Sequence, residues 1–315
     1  MDLYKKFLPL ASIVAALLIH LLVPDSPKYM QKPLPYFTFA LIAGGVITAL
    51  CIIVSFFKKD FNQKYTHKSL FIAVAILVLN VYNIVTLKLL LIPAIYFPCP
   101  DRILRVFVND RMFLLKCLAH SARLLFSGFS LGLIVGLATG ISVGWSKRWS
   151  YWITPLIRII GPIPSTAWIP VALVVFTSSM QASIFLIALA VWFPTTVLTS
   201  SGISNVKNSY FEVASTLGAN TVQKIFKIAL PDAMPSIFIG VFNGTCASFL
   251  TLMTAEMLGV KFGIGWYINW QREVLAYANV YAGLITIAVS FSLIITVLFK
   301  FRDRVLGWQK GVIKW

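Results

Sequence analysis

Runs of about 20 predominantly apolar residues recur along this chain, and each is long enough to cross the hydrocarbon core of a bilayer as a helix. Nothing else in the sequence restricts the fold as strongly. Only 12% of the 315 residues are charged and 59% are hydrophobic, whereas a soluble domain carries roughly 25% charged residues. The chain therefore reads as all-α, a polytopic bundle of about eight transmembrane helices. The predicted spans are 7–23, 36–57, 70–92, 125–145, 164–180, 182–203, 233–255 and 279–300. The first follows Lys5-Lys6 but ends in Val23-Pro-Asp-Ser-Pro with no small-x-small cleavage site, so it reads as a span and not as a cleaved leader.

The net charge of +17 does not indicate nucleic acid, because the Lys and Arg residues sit in short loops beside the spans, where they set topology. Eight spans put both termini on one side. With that side and the 204–231 loop in the cytoplasm, seventeen Lys and Arg residues lie inside and nine outside. The cluster from Arg102 to Arg123 falls on the outside. Within it Ile103, Leu104, Phe107, Val108, Met112 and Leu115 share a face, which predicts an amphipathic helix lying in the interface. Cys51, Cys99, Cys117 and Cys246 show neither C-x-x-C nor zinc spacing, and no metal site, catalytic residue or cofactor is indicated.

Three features mark the second half of the chain. Gly128, Gly132, Gly136, Gly140 and Gly144 recur every four residues. They make one nearly smooth helix face, which predicts close packing against another helix. Four prolines punctuate 154–170. Broken backbone at membrane depth survives only where it is buried in protein or lines a watery path. Pro164, Trp168 and Pro170, with Pro194 and Thr196 of the sixth span, are therefore candidates for a transport pathway. Asn243 of the seventh span and Glu256 just after it join them. Glu256 is the acidic residue nearest the hydrocarbon, and either a functional carboxylate or an interfacial one satisfied by Lys261, Arg272 or backbone N–H groups fits it.

Between the sixth and seventh spans lies a more polar stretch, Glu212-Val-Ala-Ser-Thr-Leu-Gly218 to Leu230-Pro231. It reads as two short helices. Gly218 supplies a left-handed stop after the first, and Asn220 or Thr221 caps the second. Pro231 prevents an ordinary continuation of that helix and marks entry into the next apolar segment. Val222, Ile225, Phe226 and Ala229 share a face of it.

Glu212-x-Ala214, Gly218 six residues on, Ile228 ten after that and Leu230-Pro231 resemble the EAA loop of the membrane-spanning subunits of ATP-binding-cassette (ABC) importers, with Val213 in place of the first Ala. His120-Ser-Ala-Arg123, Arg158-x-x-Gly-Pro-Ile-Pro164, Ala255-Glu256-Met257 with Gly263-Ile-Gly265, and Arg304-Val-Leu-x-Trp308 are similar to the nitrate, sulfonate and taurine group. The likeness covers roughly 98–312 and leaves out the first two spans.

The resemblance implies a type I importer permease core and a division of the chain. Residues 1–97 hold three N-terminal helices, 98–124 the interfacial segment, 125–303 the core with a coupling loop at 204–231, and 304–315 a cytoplasmic tail. It implies that Glu212, Ala214, Gly218, Val222, Ile225, Ile228, Leu230 and Pro231 couple to an ABC ATPase subunit, with Glu212 in a helix-capping role. The other implied partners are a second permease copy, forming a homodimer, an extracytoplasmic solute-binding protein and membrane lipid. The location is a bacterial inner membrane. No G-x-x-x-x-G-K-[ST] occurs, so ATP chemistry falls to the partner and the chain is not an enzyme. A sulfonate, nitrate or taurine-like anion and a small vitamin precursor both remain open as substrates. An ion-coupled secondary transporter is the alternative. It would need ionisable residues buried in the spans, and only Lys88 and Glu256 lie at such depth.

Overall fold

The computed structural model describes residues 3–27 and 35–309. Asp2, Lys28, Lys32, Lys310 and Lys314, and with them half of the predicted tail, lie outside the described residues. Among the described residues seven helices are long and apolar enough to cross a membrane, or eight if one bent pair counts as a span. The chain divides into two compact units. One runs to Met112 and takes in Trp270–Ala282. The other is Phe113–Asn269 together with the chain from Gly283 on.

The first unit is built from α1 (Leu3–Leu22), α2 (Tyr36–Phe57), α3 (Lys59–Asn83) and α4 (Pro100–Asn109). Ile13 and Ala16 of α1 meet Phe37 and Leu41 of α2, with Ile76 and Leu104 against them. A single π-helical turn, Ile84–Lys88, closes α3. It delivers the Lys88 ammonium to the end of α1, where it donates to the His20 and Val23 carbonyls at 2.7 and 2.6 Å and to Asp25 Oδ1 at 2.7 Å. Lys88 is thus a helix C-cap with a counter-ion. The Phe37 N–H, at the start of α2, donates to Asp101 of α4 at 2.6 Å.

The second unit contains most of α5 (Arg111–Trp145), α6 (Lys147–Ile160), α7 (Ile169–Val175), α8 (Ser179–Ser204), α9 (Asn208–Thr216), α10 (Thr221–Lys224) and α11 (Leu230–Leu258). Parts of α12 (Ile264–Glu273) and α13 (Tyr277–Val305) complete it. Here α5 and α8 run parallel, and the glycine stripe is the seam. A Cβ added at Gly128, Gly136, Gly140 or Gly144 would come within 3 Å of Ile187, Thr195, Thr199 or the Ser200 carbonyl in turn. One added at Gly132 would overlap the Ala188 carbonyl. Helix α11 lies antiparallel on α8, with Gly244 against Val191, Gly240 against Thr195 and Ser236 against Gly202. The apolar windows of α8 and α11 are each 56% buried, whereas that of α13 is 11% buried, so α8 and α11 form the core and α13 presents its apolar surface outward.

Four boundaries differ from the sequence reading. Helix α5 begins at Arg111, so 111–124 is the first third of a span helix and only α4 is a separate amphipathic element. No Pro breaks this run, and its 35 residues extend about 52 Å. The predicted span 164–180 is instead α6 and α7, bent by 84° through Pro162, Pro164 and a 3₁₀ turn at Ser165–Trp168. Pro194 does not interrupt α8, which runs unbroken from Ser179 to Ser204. At Pro231 the two helices join into one run, though not by an ordinary α-helical turn. A π turn at Ile225–Ala229, closed by Leu230 N–H on the Ile225 carbonyl, carries α10 into α11. The wider turn tolerates the missing proline N–H.

Candidate functional site: a docking elbow and a cavity at a helix break

The elbow between α9 and α10 is fixed by paired caps. Gly218 has φ +77°. Its N–H donates to the Ser215 carbonyl at 3.0 Å and the Ala219 N–H to the Ala214 carbonyl at 2.9 Å, the double bond of a Schellman stop. Asn220 Oδ1 then accepts the Gln223 N–H at 2.8 Å while Gln223 Oε1 accepts the Asn220 N–H at 2.9 Å. That reciprocal capping box makes Asn220, and not Thr221, the cap. Lys224 Nζ donates to Ser215 Oγ at 2.7 Å across the elbow.

This construction turns an apolar surface outward. Leu217 at the apex is 81% exposed, and Tyr210, Val213, Val222 and Phe226 are exposed with it. Of the residues singled out from the sequence, Glu212, Gly218, Val222 and Pro231 are exposed and Ile225 is half-buried. Ala214 is buried. Ile228 and Leu230 pack inward on the cluster of Ile203, Ala229 and Ala233, so they hold the elbow to the bundle and do not face outward. Among the described residues no hydrogen bond or ion pair engages Glu212, and the capping expected of it is done by Gly218 and Asn220. The exposed Tyr210, Val213 and Leu217 lie on α9 and at its end, outside the α10 face that the sequence pattern marked.

The α6–α7 break opens a cavity of about 360 Å³ against α8 and α11. Pro164, Ser165, Thr166, Phe193, Pro194, Asn243 and Thr251 are on its wall. Ser165 Oγ meets Thr251 Oγ at 2.6 Å. Pro194 has no N–H to give, which frees the Ala190 carbonyl, and Ala190 also borders the cavity. A Cβ at Gly161 would overlap the Phe193 ring, so the break closes tightly on α8.

Trp168, Pro170, Thr196 and Glu256, the other pathway candidates, lie off this wall. Trp168 packs on Ile169, Ala172 and Leu186, and Pro170 opens α7 at an exposed position. Thr196 is fully buried in the α5–α8 seam, bonded to Thr139 Oγ1 at 2.8 Å. The sequence marked the prolines but missed Ser165 and Phe193, since an isolated hydroxyl or ring beside a proline cluster carries no pattern of its own.

Glu256 lies away from the cavity, near the end of α11, and is 1% exposed. Its Oε2 accepts the Gly265 N–H at 2.8 Å, and a Cβ at Gly263 would overlap its carboxyl group. The Gly265 N–H and the Ser121 hydroxyl, and not Lys261 or Arg272, are thus the partners the geometry gives it. Ser121 of α5 accepts the Ile264 N–H at 2.9 Å beside it, so carboxylate and hydroxyl together cap α12.

The family described as "Binding-protein-dependent transport system inner membrane component" matches residues 128–306. The chain belongs to this family. The matched stretch takes in the glycine seam, the helix break, the elbow and α11, and leaves out the first four helices, as the sequence resemblance did for the first two spans. Relatives include the taurine transport system permease protein TauC of Escherichia coli (strain K12), 29% identical over half of this chain and 58% of its own length. The putative aliphatic sulfonates transport permease protein SsuC of Bacillus subtilis (strain 168) is 33% identical over 51% of this chain and 58% of its own length. The bicarbonate transport system permease protein CmpB of Synechococcus elongatus is 32% identical over 59% and 65%. The chain thus spans somewhat more than half the length of these permeases. A solved structure of the MetNI methionine ABC transporter superposes with a TM-score of 0.52 at 17% identity, covering 62% of this chain and 97% of that one, which is a likeness of fold. By family, the chain is thus an inner membrane component of a binding-protein-dependent transport system, with the bundle of apolar helices that the sequence predicted.

Proposed function

We propose that this chain is the permease subunit of an ATP-driven importer for a small oxyanion, and that its α9–α10 elbow docks on a separate ATPase subunit. The observation that carries the reading is the elbow's outward apolar surface around Leu217, held rigid by two caps and continuous with core helix α11 through the π turn. An exposed cluster of this kind on an otherwise polar segment marks an interaction surface, and displacement of the elbow would be passed directly to the α11 side of the cavity. The named transport substrates of the relatives (taurine, sulfonates and bicarbonate) share the oxyanion chemistry.

In this reading two copies of the chain pair, and each engages one ATPase subunit at the cytoplasmic face, with both chain termini on that side. ATP binding draws the elbows together and rocks α11 against the α6–α7 break. The cavity then opens to a solute delivered by an extracytoplasmic binding protein, and hydrolysis resets it. The cavity wall offers hydroxyls, an amide and a free carbonyl but no charged group, which suits weak, transient contact with a passing solute. Pro164, Pro194 and Asn243 are its pathway residues, together with Ser165 and Thr251. The test is uptake of radiolabelled taurine, bicarbonate and nitrate by proteoliposomes holding the chain, its ATPase and its binding protein. ATP-dependent uptake of one of them supports the reading. Uptake driven by an ion gradient without ATP overturns it.

A further inference from the structure

The cationic cluster that sequence analysis assigned to an interfacial helix has a different setting in the structure. Lys116, His120 and Arg123 stand at i, i+4 and i+7 of α5, within one face of a span helix. They border a cavity of about 220 Å³ closed by Phe113 and Phe262. His120 stacks on Phe262 with ring centroids 5.3 Å apart. The Phe262 loop is held against α5 by the Ile264 N–H to Ser121 bond, at 2.9 Å. All three cationic side chains are exposed, and among the described residues no hydrogen bond or ion pair engages the charged ends of Lys116 or Arg123. Glu256, beside this loop, is 1% exposed and already accepts from Gly265. Among the described residues on its wall the cavity thus gathers positive charge and no carboxylate, at the end of the second unit opposite the elbow.

We infer that this cavity is a binding site for a small oxyanion. The Arg123 guanidinium and the Lys116 ammonium supply charge-assisted donors, and His120 a third N–H. Phe113 and Phe262 form an apolar wall that takes a short carbon tail. A water occupies about 30 Å³ of liquid, so the volume holds an anion of a few heavy atoms and not a large solute. The inference rests on the importer reading for its role, which is to concentrate the anion at the extracytoplasmic mouth before it reaches the uncharged cavity at the helix break. Its chemistry stands independently, and an oxyanion can come either from free solute or from the phosphate of an anionic lipid headgroup.

The test is equilibrium binding of radiolabelled sulfate to the full chain in nanodiscs of phosphatidylcholine, repeated in discs containing phosphatidylglycerol. Wild type is compared with Lys116→Gln/Arg123→Gln and with Lys147→Gln/Arg148→Gln at the start of α6, beyond the other end of α5. Saturable binding in the wild type is expected, weakened roughly tenfold or more in the first variant, which removes two charge-assisted donors, and unchanged in the second. Sulfate displaced by phosphatidylglycerol identifies lipid phosphate as the anion held there, and sulfate retained identifies free solute. Absence of saturable sulfate binding in phosphatidylcholine discs, or equal loss in both double variants, overturns the site. Because no ATPase is present, that failure is separate from any failure of the importer reading. Arg123→Lys, which keeps the charge and loses the fork, is expected to bind with intermediate strength and guards against a misfolded double variant.

Discussion

The Ser165 hydroxyl lies 2.6 Å from that of Thr251 and so joins the helix break to the C-terminal half of α11. It is a link between the bent span and the helix that continues into the elbow. Ser165→Ala and Thr251→Val are each expected to lower transport several-fold, because a neutral hydrogen bond contributes about 1 kcal/mol. The double variant is expected to lose little more than either single one. Binding of the ATPase should stay at the wild-type level. Initial uptake rates in proteoliposomes, read beside ATPase co-purification, check this.

The glycine seam predicts a graded packing response. Gly132→Ala places a methyl group on the Ala188 carbonyl of α8, and Gly140→Ala places one against Thr199. Each is expected to destabilise the second unit by about 1–3 kcal/mol. Gly44→Ala, where the added Cβ meets only Ile13 at an ordinary 3.7 Å, is expected to be nearly neutral. Thermal unfolding in detergent, followed by size-exclusion recovery, distinguishes the two classes.

Lys88 gives the N-terminal unit a single point of failure. Its side chain is 4% exposed and holds Asp25 and two carbonyls of α1. Lys88→Met removes the donor from all three acceptors and is expected to cost about 3 kcal/mol, in line with breaking one side of a buried ion pair. Lys88→Met/Asp25→Asn should cost less, since the second change removes the stranded charge. Limited proteolysis near the end of α1 reports the loosening.

Stability of that unit should also depend on pH through Asp101. Burial pushes its carboxyl above the ordinary carboxylate range, against the opposing pull of the Phe37 N–H. The folded state therefore binds the proton more tightly than the unfolded chain does. This contribution is fully present below the ordinary carboxylate pKa and is lost as pH rises through the raised one. Asp101→Asn is expected to flatten the dependence, measured as unfolding temperature against pH from the acid range upward.

How much of this was legible in the sequence follows from what each signal encodes. Apolar run length and the four-residue glycine period encode geometry directly, so the spans and the stripe could be read. Gly218 and Asn220 carry turn chemistry that needs no tertiary context. Pro194 and Pro231 suggested interruptions because sequence shows the missing N–H but not the neighbours or the π turn that accommodate it. Ile228 and Leu230 look equivalent to Phe226 in pattern, yet packing on Ala229 and Ala233 turns them inward. The charges from Lys116 to Arg123 suggested an interfacial helix because no residue marks where α5 enters the bundle.

The elbow carries the central claim, and co-purification of the tagged chain with its ATPase subunit tests it most directly. The comparison is wild type against Leu217→Asp and Phe226→Asp, which add charge to the outward apolar surface, with Glu212→Ala as an exposed neighbour. The account predicts that both Asp variants insert and elute as the wild type does but lose the ATPase and its stimulated hydrolysis, while Glu212→Ala keeps both. Full association and activity in Leu217→Asp and Phe226→Asp would contradict the account.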